Sequence, residues 1–226
     1  MEPLIELRNV GKGYAPGRPV VREINFEVQR GQITAIRGRN GSGKSTLLKL
    51  IAGIVRPSAG VVRRAPGVTV GYAPERFPGV RFRAEEYLAH PGRIRRMPRA
   101  ALERRIRELM DLFGLQAAGP IAHFSKGMAQ KVNLMQAVLA RPDVLVLDEP
   151  LSGLDADAQR ELVRLVLAFK RKGAAVVLTG HEPGFAEGWA DRTMELRNGE
   201  LAPRRNDGSA MEADTSAWIC EQWGIR

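Results

Sequence analysis

The stretch from Gln32 to Leu50, QITAIRGRNGSGKSTLLKL, constrains the fold of this chain more than any other. It contains a short apolar segment typical of a strand, a glycine-rich turn, and a segment typical of a helix that begins near Lys44. Residues 38–45, GRNGSGKS, fit the pattern G-x-x-x-x-G-K-[ST] without a mismatch, and we call them the phosphate loop. An ordinary glycine turn would not require the Lys-Ser pair that ends it. We therefore predict a strand–loop–helix unit that binds a nucleoside triphosphate.

The residue types of the phosphate loop explain this prediction. Its glycines allow backbone turns that residues with a Cβ atom resist, so successive N–H groups can point at one anion. The helix that follows adds unpaired N–H groups and the positive end of its dipole. Lys44 is predicted to reach the β- and γ-phosphates, and the Ser45 hydroxyl is predicted to bind Mg²⁺. The predicted nucleotide-binding residues of this segment are Gly38, Asn40, Gly41, Gly43, Lys44, Ser45 and Thr46.

A second segment, VLVLDEP at residues 144–150, predicts the rest of a hydrolytic site. A continuous apolar run suits a parallel strand that is buried on both faces, and the carboxyl ends of such strands meet at the ligand crevice. Asp148 is then placed to hold Mg²⁺ through water. Glu149 is the natural general base for orienting an attacking water. Paired acids in a turn are more often only solvated, but the apolar strand and the phosphate loop upstream favour the site.

The roles of two other candidate residues are not decided by the local sequence alone. Tyr14, in a predicted turn at residues 11–19, could stack on a base or simply pack. His181 follows a predicted buried strand, Ala174–Thr179, which delivers it to the same edge of the sheet. A single histidine is more often structural than catalytic, and by itself this one would be interpreted as structural.

The remaining elements are predicted from hydrophobic periodicity and turn residues. Two antiparallel strands cover residues 4–10 and 20–29, and a short strand covers 68–72. Residues 84–113 have helical apolar spacing that Pro91 and Pro98 are expected to interrupt. Ser125 is a good N-cap for a helix that runs to about residue 140. The other predictions are a helix at 156–172 capped by Asp155, an Asn-Gly hairpin at 194–201, and a docked amphipathic end around Trp218, Ile219 and Trp223.

Composition bounds the partners and the compartment only loosely. The 226 residues suit one or two domains, and the net charge is +10 with a pI near 10.4. Between Arg76 and Asp111 there are 10 arginines and 5 acidic residues, which is compatible with a binding patch or with a solvated helical surface. No apolar run approaches the ~20 residues of a membrane span, and the start of the chain has no signal-peptide pattern. The lone Cys220 excludes an intramolecular disulfide, so a cytosolic protein is predicted.

The order of the motifs is more specific than any one of them. The phosphate loop is followed by FSKGM, VLVLDEP, SGLD and TGH, and this series resembles the nucleotide-binding subunit of an ATP-binding cassette (ABC) transporter over roughly residues 4–201. We call residues 125–128, SKGM, the signature segment. Ser125 precedes Asp148 by 23 residues and His181 follows Asp148 by 33 residues, as in that family.

The resemblance implies a fold and a domain organisation. The expected class is α/β: a P-loop NTPase core with a mixed central sheet, an N-terminal antiparallel β-subdomain and an inserted α-helical subdomain. Residues 1–226 would form one ABC ATPase domain. Its core with the β-subdomain would be residues 1–74 and 141–201, its helical subdomain residues 75–140, and its tail residues 202–226.

The resemblance also implies roles for residues outside the phosphate loop. Two cassettes would pair head to tail, with each ATP held between the phosphate loop of one and the signature segment of the other. Tyr14 would stack on adenine, and Ser125 with Gly127 would contact the γ-phosphate of the partner's nucleotide. Asp155 would lie at the dimer interface. His181 would contact the γ-phosphate and help to orient the water.

Three departures from the family pattern limit these expectations. The signature segment has Lys126 and Met128 in place of the commoner glycine and glutamine, a form often seen in cassettes of small bacterial exporters. Glu75 stands where the family has a glutamine that binds Mg²⁺ and couples to the membrane subunit. A carboxylate can still bind Mg²⁺, but the coupling role of that glutamine is not carried over to Glu75. TGH replaces SSH, a change expected to be minor.

The predicted function is therefore an ATPase subunit that drives transport through a separate membrane-spanning subunit, and SKGM predicts export. ATP and Mg²⁺ are the expected cofactors, the location is the inner face of the cell membrane, and no nucleic acid partner is expected. The alternative is a soluble cassette ATPase that acts on nucleic acid or ribosomes, which only the pI favours. A P-loop kinase or GTPase would not explain the signature segment or His181.

Overall fold

The computed structural model describes residues 2–116, 119–182, 185–186 and 188–204. Three strands form an antiparallel sheet in the order β2-β1-β4: β1 (Ile5–Ala15), β2 (Arg18–Val28) and β4 (Ala59–Arg64). The alternating apolar residues of β1 and β2 bury one face of this sheet, as their period of two predicts.

The second sheet is mixed and holds the candidate site. Its strands are β3 (Ile33–Arg37), β5 (Val70–Ala73), β6 (Val144–Leu147), β7 (Ala175–Gly180), β8 (Arg192–Arg197) and β9 (Glu200–Pro203). Their order is β5-β6-β7-β3-β8-β9, and every neighbouring pair is parallel except β8 with β9. The carboxyl ends of the parallel strands therefore share one edge, where ligands bind in open α/β sheets.

Helices cover both faces of the mixed sheet. They are α1 (Lys44–Ala52), α2 (Ala84–Ile94), α3 (Arg99–Leu112), α4 (Lys126–Val138) and α5 (Ala156–Arg171). All four residues of β6 are buried, as the continuous apolar run predicts. Leu145 and Leu147 face a core with residues of α2 to α5, whereas Val144 and Val146 face a core with α1 and the antiparallel sheet. The predicted α/β class, with its mixed sheet, antiparallel sheet and helices, is confirmed.

Two predictions about local structure are wrong. Most of the turn predicted at residues 11–19 is strand, because β1 continues through several register shifts to Ala15 and only Pro16 and Gly17 separate it from β2. Pro91 does not interrupt α2 but lies inside it. Burial of Leu88 and the close packing of Gly92 against Leu102 of α3 outweigh the backbone hydrogen bond that proline cannot donate.

Other local predictions are confirmed. Pro98 separates α2 from α3 and is the N-cap residue of α3. Ser125 and Asp155 are the N-cap residues of α4 and α5. Asn198 and Gly199 both have positive φ in the turn between β8 and β9. The predicted amphipathic end and Cys220 lie outside the described residues. No helix in the described part of the chain is both long and apolar enough to cross a membrane.

Candidate active site

The phosphate loop connects the central strand β3 to the start of α1. Gly38 must be a glycine because a Cβ atom there would lie 2.6 Å from both the Leu196 carbonyl oxygen and Ser42 Oγ. Gly43 has a φ of 103°, a conformation that a side chain strongly disfavours, and it is the residue that precedes α1. Sterics and backbone conformation thus fix both glycines, and the loop ends on the amino terminus of a nine-residue helix.

Lys44, the first residue of α1, points back into the loop. Its side chain is 5% exposed, and Nζ donates to the carbonyl oxygens of Gly38 at 2.8 Å and Arg39 at 3.2 Å. Nζ also forms an ion pair with Glu149 Oε1 at 3.1 Å. The ammonium group therefore lies between the phosphate loop and the end of β6, two segments that the sequence predicts to meet.

The loop has the properties of an anion site. Two buried side-chain oxygens among the described residues lack a hydrogen-bond partner, and one of them is Ser42 Oγ. Ser42 therefore has a hydroxyl free to donate to an oxyanion, beside the buried Lys44 ammonium. Together with the helix amino terminus these groups match the donors that a polyphosphate requires.

Asp148 is almost fully buried at the carboxyl end of β6. Its Oδ1 accepts a hydrogen bond from Thr179 Oγ1 at 2.9 Å, and its Oδ2 accepts one from the Tyr72 hydroxyl at 3.4 Å. Burial and then the Asp148 charge raise the pKa of Tyr72 well above its ordinary value. The tyrosine therefore stays a neutral hydrogen-bond donor at physiological pH, and Asp148 is held in one orientation.

Glu149 bridges Lys44 and His181. Its Oε2 lies 3.0 Å from Nδ1 of His181, on the opposite side of the carboxylate from Lys44. The backbone of Glu149 has a φ of 45°, a left-handed conformation that is rare for glutamate, and its N–H donates to Thr179 Oγ1 at 2.9 Å. Such strain is typical of functional sites. The structure brings together the two residues predicted to be catalytic.

Tyr14 lies at the edge of the same site. Its hydroxyl is 3.4 Å from Oγ1 of Thr46 in α1, and the residue is 61% exposed. The Lys12 ammonium lies 5.3 Å from the ring centroid. The ring thus presents an accessible face next to the helix that begins at the phosphate loop.

The signature segment is not joined to this cluster. Ser125 Oγ accepts from the Met128 N–H at 3.2 Å and so bonds only within the first turn of α4. A Cβ atom on Gly127 would meet nothing within 4 Å, which leaves the backbone there open. Within its own chain, the signature segment instead approaches the turn at residues 151–155, where the Lys126 side chain packs against Gly153.

Glu75 is exposed in the loop that follows β5. Among the described residues there is no group of three or more His, Cys, Asp or Glu side chains that could hold a metal ion. The predicted Mg²⁺ ligands Ser45, Asp148 and Glu75 therefore do not form a closed protein cage. This donor set fits Mg²⁺ as it is held in nucleotide sites, where phosphates and water supply most of the ligands.

Sequence reasoning missed two sets of residues that order the site. Thr179 bonds to both acidic residues, and its only sequence signal is a hydroxyl at the end of an apolar strand. The other set is a pair of α4 amides. The Asn133 amide donates to the Pro74 carbonyl at 2.7 Å, and the Gln130 amide donates to the Pro150 carbonyl at 3.3 Å. The signal here is an asparagine, fully buried in the structure, within an apolar helix face.

Known proteins resemble this chain over most of its length. A family model described as ABC transporter matches residues 21–152. The zinc import ATP-binding protein ZnuC of Halorhodospira halophila is 33% identical over 217 residues, which cover 93% of this chain and 80% of that protein. A solved structure of an ATP binding subunit of an ABC transporter is 32% identical with a TM-score of 0.79, and the match covers 99% of this chain and 94% of that one. A dimeric bacterial ABC transporter cassette has the same fold, with 23% identity, a TM-score of 0.79 and coverage of 89% and 99%.

Proposed function

The chain belongs to the ABC transporter family and is an ATP-binding subunit with ATPase activity, and on this premise we propose that two such cassettes hydrolyse ATP between them to drive a separate membrane-spanning subunit. The resemblance predicted from the order of the motifs is confirmed. The observation that supports the proposed chemistry is the position of Glu149, which contacts Lys44 on one side and His181 on the other.

The proposed roles follow from this arrangement. The phosphate loop, with Gly38, Asn40, Gly41, Gly43, Lys44, Ser45 and Thr46, would bind the phosphates. Glu149 would accept a proton from the attacking water as general base, and His181 would orient Glu149 and the γ-phosphate. Tyr14 would stack on adenine, since its exposed ring lies beside α1.

Mg²⁺ is proposed as the metal cofactor. Ser45, Asp148 and Glu75 would hold it, with Asp148 acting through water and held in one orientation by Thr179 and Tyr72. When bound, the ion would supply positive charge that neutralises the phosphate oxygens. Asp148 would need no rearrangement to take this role, since its orientation is fixed by the two hydroxyls.

The signature segment would act on a second cassette. Ser125 and Gly127 begin a 13-residue helix, whose amino terminus offers unpaired N–H groups to an anion. In its own chain Ser125 bonds only within that helix, so its backbone and hydroxyl are available to a neighbour's γ-phosphate. Asp155, which caps α5 in the turn that Lys126 contacts, would lie at the same interface. The dimeric cassette of the same fold is consistent with this pairing.

The direction of transport is a separate proposal. The SKGM signature segment is the one feature that favours export. The similar ZnuC protein is named for zinc import, so the comparisons do not support export. Export therefore stays a prediction from the signature segment. The proposed location, at the inner face of the cell membrane, follows from the need for a membrane-spanning partner.

A size measurement on the Glu149→Gln variant tests this proposal. Loss of the general base should let ATP bind without being consumed, so the variant should become a dimer at saturating ATP in static light scattering. Glu182→Gln is the matched control, because it removes the same charge from an exposed residue one position after His181. The control should hydrolyse ATP and stay monomeric. A monomeric Glu149→Gln variant at saturating ATP would contradict the pairing.

The partner can be identified with the same variant. Tagged Glu149→Gln protein with ATP should recover a multi-spanning protein from detergent-solubilised host membranes, at near-equal stoichiometry. Recovery of ribosomes or nucleic acid at physiological salt, without a membrane protein, would instead support the soluble cassette ATPase that the pI of 10.4 favours.

A further inference from the structure

A cavity away from the phosphate loop is lined by several arginines. It has a volume of about 620 Å³ and lies between the start of β5, the helix α3 and the end of α4. It is lined by five guanidinium groups and a single carboxylate: Arg64, Arg95, Arg104, Arg105, Arg141 and Glu108. Small-molecule sites commonly have volumes of roughly 300–1,000 Å³.

The cavity has a large excess of positive charge. Glu108 is shared by three guanidinium groups, with shortest N–O distances of 3.3 Å to Arg105, 3.7 Å to Arg141 and 3.8 Å to Arg104. One carboxylate cannot neutralise three cations. Five arginines against one glutamate leave four positive charges along the walls of one concave surface.

Arg105 forms the fixed floor of the cavity. Its side chain is 14% exposed, and it donates to the carbonyl oxygens of Leu139 at 3.2 Å and Val138 at 3.1 Å. Burial lowers the pKa of Arg105, the hydrogen bond to Glu108 offsets part of this effect, and the nearby Arg141 charge lowers the pKa further. The charged form of this residue is therefore held at a cost that a bound anion would relieve.

The other arginines remain accessible at the rim. Arg104 and Arg141 have side chains that are 69% and 76% exposed. Arg141 also has a φ of 50°, a left-handed conformation in which glycine or asparagine is the usual residue.

The position separates this cavity from the catalytic cluster. Val70 begins β5, and Arg141 lies just before β6, so the cavity is at the amino edge of the parallel strands. Asp148 and Glu149 are at the carboxyl edge, after the same strand β6. The arginines thus serve neither the phosphate loop nor the predicted Mg²⁺ ligands.

We propose that this cavity binds a small organic molecule that carries a phosphate or another multiply charged oxyanion. Guanidinium groups match phosphate and carboxylate oxygens in paired hydrogen bonds, which makes arginine the preferred residue for this chemistry. Apolar side chains, among them Val68, Val70, Met97 and Leu139, form the rest of the wall and suit an uncharged part of the ligand. The concave shape favours a small molecule over an extended polymer.

Isothermal titration calorimetry with pyrophosphate tests the proposal. The titrations use the Lys44→Ala background, so that the phosphate loop contributes little to binding. Arg104→Gln/Arg141→Gln should weaken binding by at least roughly tenfold, the size expected for losing charge-assisted hydrogen bonds. The matched control, Arg99→Gln/Arg107→Gln, removes two charges from outside the cavity, on the helix α3 that carries Arg104, and should change binding by less than about twofold. Thermal unfolding of each variant verifies that it is folded.

A gain of affinity provides a second and independent test. Glu108→Gln keeps the shape of the side chain and removes the only carboxylate of the cavity, so pyrophosphate should bind several-fold more tightly. Misfolding cannot produce such a gain. Equal binding by the cavity variant and its control, or no gain with Glu108→Gln, would overturn the proposal.

The source of the oxyanion is distinguished by two further probes. Vesicles that contain phosphatidylglycerol should bind the Lys44→Ala protein, with the same dependence on Arg104 and Arg141, if the ligand is a lipid headgroup. If the ligand is a free metabolite, pyrophosphate should bind with a dependence on Arg104 and Arg141, and the vesicles should not bind. Single-stranded DNA that binds through the cavity and the control arginines alike would overturn the small-molecule proposal in favour of a nucleic acid surface.

Discussion

Lys44 and Glu149 form an ion pair of 3.1 Å in which both side chains are almost completely buried. The lysine predicted to bind phosphate is therefore held by the carboxylate predicted to be the general base. An incoming polyphosphate must compete with Glu149 for the Lys44 ammonium group, although the Gly38 and Arg39 carbonyls hold the lysine in place.

We expect Glu149→Gln to bind ATP more tightly than the wild-type chain. Removing the carboxylate charge leaves Lys44 free to pair with phosphate, and a hydrogen bond to a charged group is worth about 1.5 kcal/mol, so the dissociation constant should fall by up to roughly tenfold. Calorimetry without Mg²⁺ measures this change. Glu182→Gln should leave the affinity unchanged, and weaker binding by Glu149→Gln would contradict the competition.

We expect Lys44→Ala to lose most of its ATP affinity. The substitution removes a buried ammonium group that donates to the Gly38 and Arg39 carbonyls of the phosphate loop. A loss of roughly one hundredfold or more corresponds to about 3 kcal/mol, the upper end for a charged hydrogen bond. Lys49→Ala, on the same helix, is the control. Unchanged ATP binding in calorimetry would exclude the assigned role of Lys44.

We expect His181→Ala to separate binding from hydrolysis. His181 contacts Glu149 rather than the phosphate loop, so ATP should still bind while the hydrolysis rate falls by about 10²–10⁴-fold. A steady-state phosphate-release assay and calorimetry together measure the two effects. His123→Ala, at an exposed position before α4, should change neither. Equal loss of binding and activity would instead favour a structural role for His181.

We expect Thr179→Val to destabilise the fold and slow hydrolysis. The Thr179 hydroxyl donates to Asp148 and accepts from the Glu149 N–H, and valine has the same shape without either bond. Leaving one buried partner unsatisfied costs about 1–3 kcal/mol, which urea unfolding can measure. Thr179→Ser retains the hydroxyl and should recover most of both properties. Full activity in the valine variant would show that these bonds are dispensable.

We expect Asp143 to make stability depend on acid pH. Hydrogen bonds from the backbone and side chain of Thr69, with Arg30 nearby, hold the pKa of Asp143 below its ordinary value of 3.8. A depressed folded-state pKa stabilises the fold above the unfolded pKa, and this stability is lost as the pH falls through the folded value. Asp143→Asn should therefore lower the free energy of unfolding at about pH 7, by about 1 kcal/mol or less, and by progressively less below about pH 4. If the difference in unfolding free energy between the variant and the wild-type chain did not decrease as the pH falls, this assignment would be contradicted.

The sequence predicted the parts of the site that lie within single motifs. The phosphate loop and the acids after β6 are each specified by a few neighbouring residues, and His181 directly follows a strand whose apolar run is obvious. Thr179 was missed because its role depends on register: β6 and β7 pair Leu147 with Leu178, which places the next residue of each strand side by side. No local pattern contains that pairing.

The two wrong predictions of local structure also arise from contacts between residues that are distant in the sequence. Glycines and two prolines at residues 11–19 are typical of a turn, but pairing with β2 keeps β1 in strand conformation as far as Ala15. Pro91 is typical of a helix end, but the contact between Gly92 and Leu102 keeps α2 intact. In both segments, packing between distant residues outweighs the local preference.

The two α4 amides have a mechanical consequence. Asn133 holds the loop after β5 through Pro74, and Gln130 holds the loop after β6 through Pro150. Because α4 is bonded to both loops, a rotation of this helix either moves both loops with it or breaks one of the two hydrogen bonds. The signature segment lies at the amino-terminal end of α4, and the two bonded loops carry Glu75 and Glu149. We therefore expect a displacement of α4 to move the loops that carry Glu75 and Glu149 together.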